Sequence, residues 1–176
     1  MTNAELAILS LVVEMPRHGY EIEQIIEARG MREWTEIGFS SIYYILKKLE
    51  KKELVESELI PTGGRGKARR NYTATKAGRA SLLEATQKAL SWPQSRYPAI
   101  LLGLANLPLV PVAQAKVALE MYSSSLGAKL ADISAKFEAQ QPLPLHVELL
   151  FDHSLHMLAA EKNWIDDAIQ KIEKEI

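Results

Sequence analysis

The feature that most restricts this chain is a change of period. Before Glu53 apolar residues recur at helical spacing, and from Leu54 onward they alternate. In SSIYYILKKLEKKEL (40–54), Ile42, Ile45, Leu46 and Leu49 share one face of a predicted helix. LVESELI (54–60) then alternates, with Val55 and Leu59 on one side, and RNYTAT (70–75) is a second short alternating run. PTGGRGKA (61–68) lies between them and reads as a turn. The expectation is a mainly helical fold with a small two-stranded hairpin, basic and glycine-rich at its tip.

The surrounding segments are helical. Asn3 is the expected cap of a helix ending near Glu14, and Pro16 stops it. Its Leu6, Ile8, Leu9, Leu11, Val12 and Val13 leave almost no polar face, so it is expected to be buried on more than one side. YEIEQIIEAR (20–29) sets Ile22, Ile25 and Ile26 opposite its acids, and Gly30 ends it. Thr75 caps a helix to about Ser91. Pro93 and Pro98 mark a junction, which gives two expected domains, 1–91 and 92–176. The second holds a short helix (99–107), a long one (112–140) and a last one (145–174). Phe151, Leu155, Leu158, Ile165, Ile169, Ile172 and Ile176 recur there at steps of three and four, a seam that calls for a partner helix. The first and last helices are expected to build a homodimer.

Net charge is -1, which by itself indicates no partner. Its distribution does. Six basic residues and no acid lie between Arg65 and Arg79. The chain has no cysteine, so disulfide and thiol chemistry are excluded. The N-terminal apolar run lacks a basic start and is too short to span a bilayer, so a cytoplasmic protein without membrane attachment is expected.

Helix, helix, basic-faced helix, hairpin is the order of a winged helix-turn-helix. A major groove admits one helix, which needs an apolar face for anchorage and a polar face for base edges. Ser40, Ser41, Tyr43, Tyr44, Lys47 and Lys48 fall on the polar face of 40–52. A wing must approach phosphates closely. Glycines permit that approach, and basic side chains displace counterions. GGRGKARR (63–70) supplies both, through Arg65, Lys67, Arg69 and Arg70. Each part has a plainer reading: a solvated lysine face, half-buried tyrosines, a flexible loop. Their joint occurrence in this order favours double-stranded DNA. The competing reading is a winged-helix protein-interaction module, which has no need to exclude acids from its wing.

The sequence resembles the PadR family of transcriptional regulators. LAILSLVVEMPRHGYEI (6–22), SSIYYILKKLEKKELVES (40–57) and RRNYTATKAGRASL (69–82) carry the resemblance. His-Gly-Tyr at 18–20 is similar to the family's turn before its second helix, which brings Tyr20 into the DNA-binding set. Tyr43, Leu46, Lys47, Lys48 and Leu49 match its recognition helix, and Tyr72, Thr75 and Gly78 match the end of its wing. Gly38 and Ala74 depart from the usual pattern. The second half is similar to the C-terminal helical domain of the virulence-activator subgroup, with Glu161 and Trp164 to Ala168 in corresponding places. The resemblance implies a homodimer, a two-fold symmetric operator, and repression relieved by a small molecule.

No catalytic constellation is present. GGRG lacks the Gly-Lys-Ser/Thr ending of a phosphate-binding loop, and Ser123, Ser124 and Ser125 lack a nucleophile-elbow context. Asp166 and Asp167 read as solvated. His153 and His156 share a helix face next to Asp152, a spacing that reads as solvated surface rather than a metal site. No cofactor is expected. His18 is assigned a structural hydrogen bond, Trp34 the core between the second and third helices, and Trp164 the dimer seam. Trp92 and Tyr97 sit at the junction. With Met121 and Tyr122 they are the candidate contacts of a small aromatic or hydrophobic effector, hinge packing being the plainer role.

Overall fold

A computed structural model describes residues 1–35, 37–38, 41–61, 68–95 and 97–174. The chain divides into two compact units, Met1–Ser95 and Arg96–Ile176.

In the first unit, α1 (Asn3–Glu14) begins with a capping box. The Glu5 amide donates to Thr2 Oγ1 (3.2 Å), and the Thr2 amide donates to Glu5 Oε2 (2.9 Å). Thr2, not Asn3, is therefore the cap, because Glu5 three residues later completes the reciprocal pair. Strand β1 (Arg17–His18) leads into α2 (Gly19–Ala28). Gly30 then takes the left-handed conformation (φ 59°) before a single 3-10 turn, Met31–Glu33. Next come α3 (Ser41–Lys51), β2 (Val55–Ile60), β3 (Arg69–Ala74) and α4 (Lys76–Ser91).

The wing is three-stranded, in the order β1-β3-β2, rather than the two-stranded hairpin the alternation indicates. Arg17 pairs with Tyr72 and His18 with Asn71, antiparallel. The alternating runs pair as expected, Val55 opposite Ala74 through Ile60 opposite Arg69. Val55 is buried, whereas Leu59 on the same side is 62% exposed because the hairpin runs past the core.

The core gathers Ile8, Leu9, Leu11 and Val12 of α1, Ile22 and Ile26 of α2, Ile42, Leu46 and Leu49 of α3, with Met31, Ile37, Val55 and Tyr72. Helix α1 touches α3, α4 and β3, so its missing polar face is covered inside its own unit and needs no second chain. Met31 and Ile37 fill the place expected for Trp34, which is 49% exposed.

The α3–β2 corner is a Schellman turn. The Leu54 amide donates to the Leu49 carbonyl (3.0 Å) and the Glu53 amide to the Glu50 carbonyl (2.9 Å). Its left-handed position holds Glu53 (φ 57°). A side chain there is strained where glycine is not. Glu53→Gly is therefore expected to stabilise the protein by about 0.5–1 kcal/mol in urea denaturation, even after the entropy glycine adds to the unfolded chain. An unchanged or lower midpoint would show that the strain is negligible. The next corner is closed by Thr75, whose hydroxyl accepts from the Gly78 amide (2.9 Å) and donates to the Glu53 carbonyl (2.8 Å). A Cβ at Gly78 would lie 1.9 Å from the Leu54 carbonyl oxygen, so only glycine lets α4 approach the corner before β2 this closely.

In the second unit, α5 (Ala99–Ala105) and a 3-10 turn (Leu107–Leu109) precede two long helices, α6 (Val112–Ala139) and α7 (Leu145–Glu173). These run antiparallel, as Lys116–Glu173 (2.5 Å) at one end and Phe137–Phe151 (5.3 Å between centroids) at the other show. Leu119 and Leu126 pack with Ile165, Leu158, Ile169 and Ile172. The partner of the predicted α7 seam is thus α6 of the same chain; Ile176 lies outside the described residues. Asp166, expected to be solvated, accepts from Lys162 Nζ (2.7 Å) and from the Ser123 hydroxyl.

Candidate nucleic-acid interface

Pairing of β1 with β3 brings the start of α2 beside the wing. His18 caps α2: its Nδ1 accepts from the Glu21 amide (3.2 Å), and its own amide donates to Glu21 Oε2 (3.0 Å). This is the structural hydrogen bond expected of it. Gly19 follows because the Tyr43 ring occupies the space above it; a Cβ there would meet Tyr43 Cε1 at 2.4 Å. The His-Gly-Tyr motif is therefore a joint between α2, α3 and β3, with the His18 and Tyr20 rings stacked at 6.4 Å.

Helix α3 buries Ile42, Ile45, Leu46 and Leu49 and leaves Tyr43 (51% exposed) and Tyr44 (68% exposed) outward, with Lys47 and Lys51 on the same exposed side. Ser41 is half-buried, and its hydroxyl donates to the Gly38 carbonyl (2.6 Å). Lys48 departs from expectation. Its Nζ lies 3.0 Å from Glu5 Oε1, and Lys52 Nζ lies 2.9 Å from the same oxygen. Two of the four lysines therefore neutralise a buried carboxylate on α1 while staying partly exposed themselves. Burial pushes the Glu5 carboxyl up. Hydrogen bonds from Lys52, the Thr2 amide and Lys48 outweigh that and hold it at about 2.

Between α2, α3 and β3 lies an open groove of about 550 Å³, lined by His18, Tyr20, Tyr43, Lys47, Arg69 and Arg70, with Gly19 and Tyr72 at its floor. Arg70 donates to the Ser57 hydroxyl (2.9 Å) and lies 3.6 Å from Glu50. Arg69 Nη1 lies 3.2 Å from His18 Nε2. The structure thus gathers Tyr20, Tyr43, Lys47, Arg69 and Arg70 around one concavity. Ser40, Arg65 and Lys67 lie outside the described residues. Among the described residues, His18, Gly19 and Tyr72 line the groove without belonging to the binding set read from the sequence.

The effector candidates fall in both units. Trp92 follows α4 in the first unit and is 67% exposed; Tyr97, in the second, is 88% exposed. Met121 faces outward from α6 beside Val117, whereas Tyr122 turns toward α7 and donates its hydroxyl to Glu161 Oε1 (2.7 Å). That bond, with burial, pushes the Tyr122 phenol up to about 12. Among the described residues no three histidines or carboxylates gather as a metal site, and no helix is long and apolar enough to cross a membrane.

Three helices, a basic-edged third helix and a β-wing define a winged helix-turn-helix. The profile of the transcriptional regulator PadR-like family matches residues 8–84. An uncharacterised protein of Lysinibacillus sphaericus is 38% identical over 77 residues, 44% of this chain and 69% of that protein. The chain belongs to the PadR-like family of transcriptional regulators. Its fold is similar to that of Bacillus subtilis PadR in complex with operator DNA (TM-score 0.78, 20% identity, covering 96% of this chain and 98% of that one). PadR in complex with p-coumaric acid is equally similar (TM-score 0.78, 19% identity, the same coverage). The Vibrio cholerae virulence activator AphA matches over 99% of this chain and 100% of its own (TM-score 0.75, 16% identity), so the fold likeness extends through α6 and α7.

Proposed function

We propose that the protein is a homodimeric repressor that binds a two-fold symmetric operator, with α3 in the major groove and the wing on the phosphate backbone. The observation that carries this reading is the groove itself, where Lys47, Arg69 and Arg70 meet the exposed Tyr20 and Tyr43. Lysine and arginine suit phosphates and guanine edges, and tyrosine adds hydroxyl and ring contacts. The solved complex of B. subtilis PadR with operator DNA supports it. Residues 1–91 would be the DNA-binding part and 92–176 the dimerisation part.

Within this reading the wing supplies sequence-independent affinity and α3 supplies sequence choice. Neutralising Arg65 and Lys67 is expected to weaken all duplexes alike and to flatten the salt dependence by about one unit per lost phosphate contact. Lys47→Ala is expected to cost about 1–3 kcal/mol on the preferred operator and to relax discrimination there. Anisotropy titrations on specific and scrambled duplexes at several salt concentrations check both. If the wing variant changes which operator is preferred, the roles are reversed.

We infer also that a small aromatic or hydrophobic molecule releases the DNA, a reading supported by the complex of B. subtilis PadR with p-coumaric acid. Trp92, Tyr97, Met121 and Tyr122 remain its candidate contacts. Fluorescence titration with aromatic acids, in variants keeping one tryptophan each and with gel shifts in parallel, tests them. A ligand that releases DNA while quenching only Trp34 or Trp164 would remove Trp92 from the set.

A further inference from the structure

We propose that His18 and Arg69 together form a phosphodiester clamp, a binding subsite that joins α2 to the wing. This deepens the DNA-binding reading and rests on it. The chemistry begins at the cap. The Glu21 amide is a donor, so His18 Nδ1, 3.2 Å away, must carry a lone pair. In a neutral imidazole the proton then sits on Nε2, which becomes a donor. The other group that Nε2 faces at 3.2 Å is Arg69 Nη1, also a donor. Two donors that close do not satisfy each other. They converge on the place where one acceptor oxygen would satisfy both, at the rim of the 550 Å³ groove.

The carboxylate nearby does not fill that place. Glu21 Oε1 lies 3.4 Å from Nε2, a long approach, while its Oε2 is held by the His18 amide at 3.0 Å. An incoming phosphate oxygen would take over Nε2–H and leave the capping box intact. The preferred anion is a duplex phosphodiester rather than free phosphate, because Lys47, Arg70 and the exposed Tyr20 border the same groove and reward a ligand that continues along it. The cap also explains why histidine serves here. Serine, threonine, aspartate or asparagine would cap α2 as well, but none of these shorter side chains carries a donor as far out as Nε2 while its cap acceptor is engaged.

The experiment uses the full-length chain with His18→Asn, Arg69→Gln and the double variant. Asparagine keeps the cap through its Oδ1, but its amide donor ends short of the Nε2 position and so cannot share an oxygen with Arg69. His18→Asn is expected to hold the wild-type Tm and to lose about tenfold in affinity for a short mixed-sequence duplex, the usual worth of a hydrogen bond to a charged acceptor. The double variant is expected to lose less than the product of the single losses, since both groups hold one oxygen. Imidazole nitrogen NMR is expected to show Nε2 protonated, and to show that resonance shifting on addition of duplex. Unchanged affinity in His18→Asn overturns the clamp while DNA binding stands. Wild-type protein that binds no duplex overturns the DNA reading itself, and the clamp with it. A His18 ring that responds to inorganic phosphate but not to duplex at equal ionic strength overturns the assignment to the DNA backbone.

Discussion

Replacing Met157 and Trp164 together by glutamate is expected to leave the helices folded, to yield monomers in light scattering, and to weaken operator binding by about two to four orders of magnitude. The argument comes from the surface of α7. One face, with Leu158, Ile165, Ile169 and Ile172, is covered by α6. An exposed flank beside it carries Met157 (50% exposed) and Trp164 (48%), with Leu149 (56%) further round the helix. An apolar surface wider than the stripe that α6 covers is expected to be buried by a further partner. The outer face of α6 repeats the pattern with Val117 and Met121 exposed. A second copy of the chain would cover these surfaces and pair two recognition helices at half-sites one turn of duplex apart. Linking two half-site contacts is worth about 10²–10⁴ in avidity, which the monomer forfeits. Far-ultraviolet circular dichroism separates this from unfolding, because both side chains are exposed and lie outside the packed cluster around Ile165. A dimer that survives both substitutions would place the interface elsewhere.

Much of the architecture was readable because local chemistry and global fold agree. Thr75 and Gly78 announce the start of α4, and the structure uses both atoms by atom: a hydroxyl for the free amide and a missing Cβ for the backbone of Leu54. The burial of α3 follows the spacing of Ile42, Ile45, Leu46 and Leu49. What periodicity cannot say is who covers a face. The apolar α1 and the α7 seam both indicate burial, and periodicity alone points to a second chain for each, whereas α3, α4 and β3 cover the first and α6 covers the second. The short β1 was invisible for a different reason: two residues are too few to alternate. Yet β1 sets His18 beside Arg69, so the least legible element organises the groove.

Lysine identity was equally opaque. Lys47 and Lys48 are neighbours on one basic helix, and nothing local distinguishes them. The difference arises from Glu5, far back in the sequence, which takes Lys48 and Lys52 and leaves Lys47 to the groove. The positive charge that α3 shows to solvent is correspondingly smaller than its composition indicates, and the remainder is committed to holding α1 against α3.

That commitment has a measurable pH signature. The Glu5 side chain is 2% exposed, and its carboxyl is held at about 2 against an ordinary value of 4.5. Because the folded value is depressed, its contribution is fully present above about pH 4.5 and is lost as pH falls toward about 2. The shift corresponds to at most about 3 kcal/mol, since the lysine ends of the pairs sit in screening solvent. Replacing Lys48 and Lys52 together by methionine strands the carboxylate in the core, which is expected to cost about 3 kcal/mol at neutral pH. In that variant burial, the largest influence on the group, is opposed only by the Thr2 amide and raises the Glu5 carboxyl, so the sign reverses: acidification neutralises the stranded charge and relieves the penalty. Urea denaturation of both proteins from pH 7 down to about pH 3 should therefore show the stability gap narrowing as pH falls. A gap that stays constant across that range would mean that the lysines stabilise α1 by packing of their methylene stems rather than by charge. Glu5→Gln separates the two further, because glutamine keeps the capping box with Thr2 and the side-chain volume while removing the titrating group. Its stability is expected to run parallel to that of the wild type above pH 4.5 and to lack the wild type's acid-dependent loss below it.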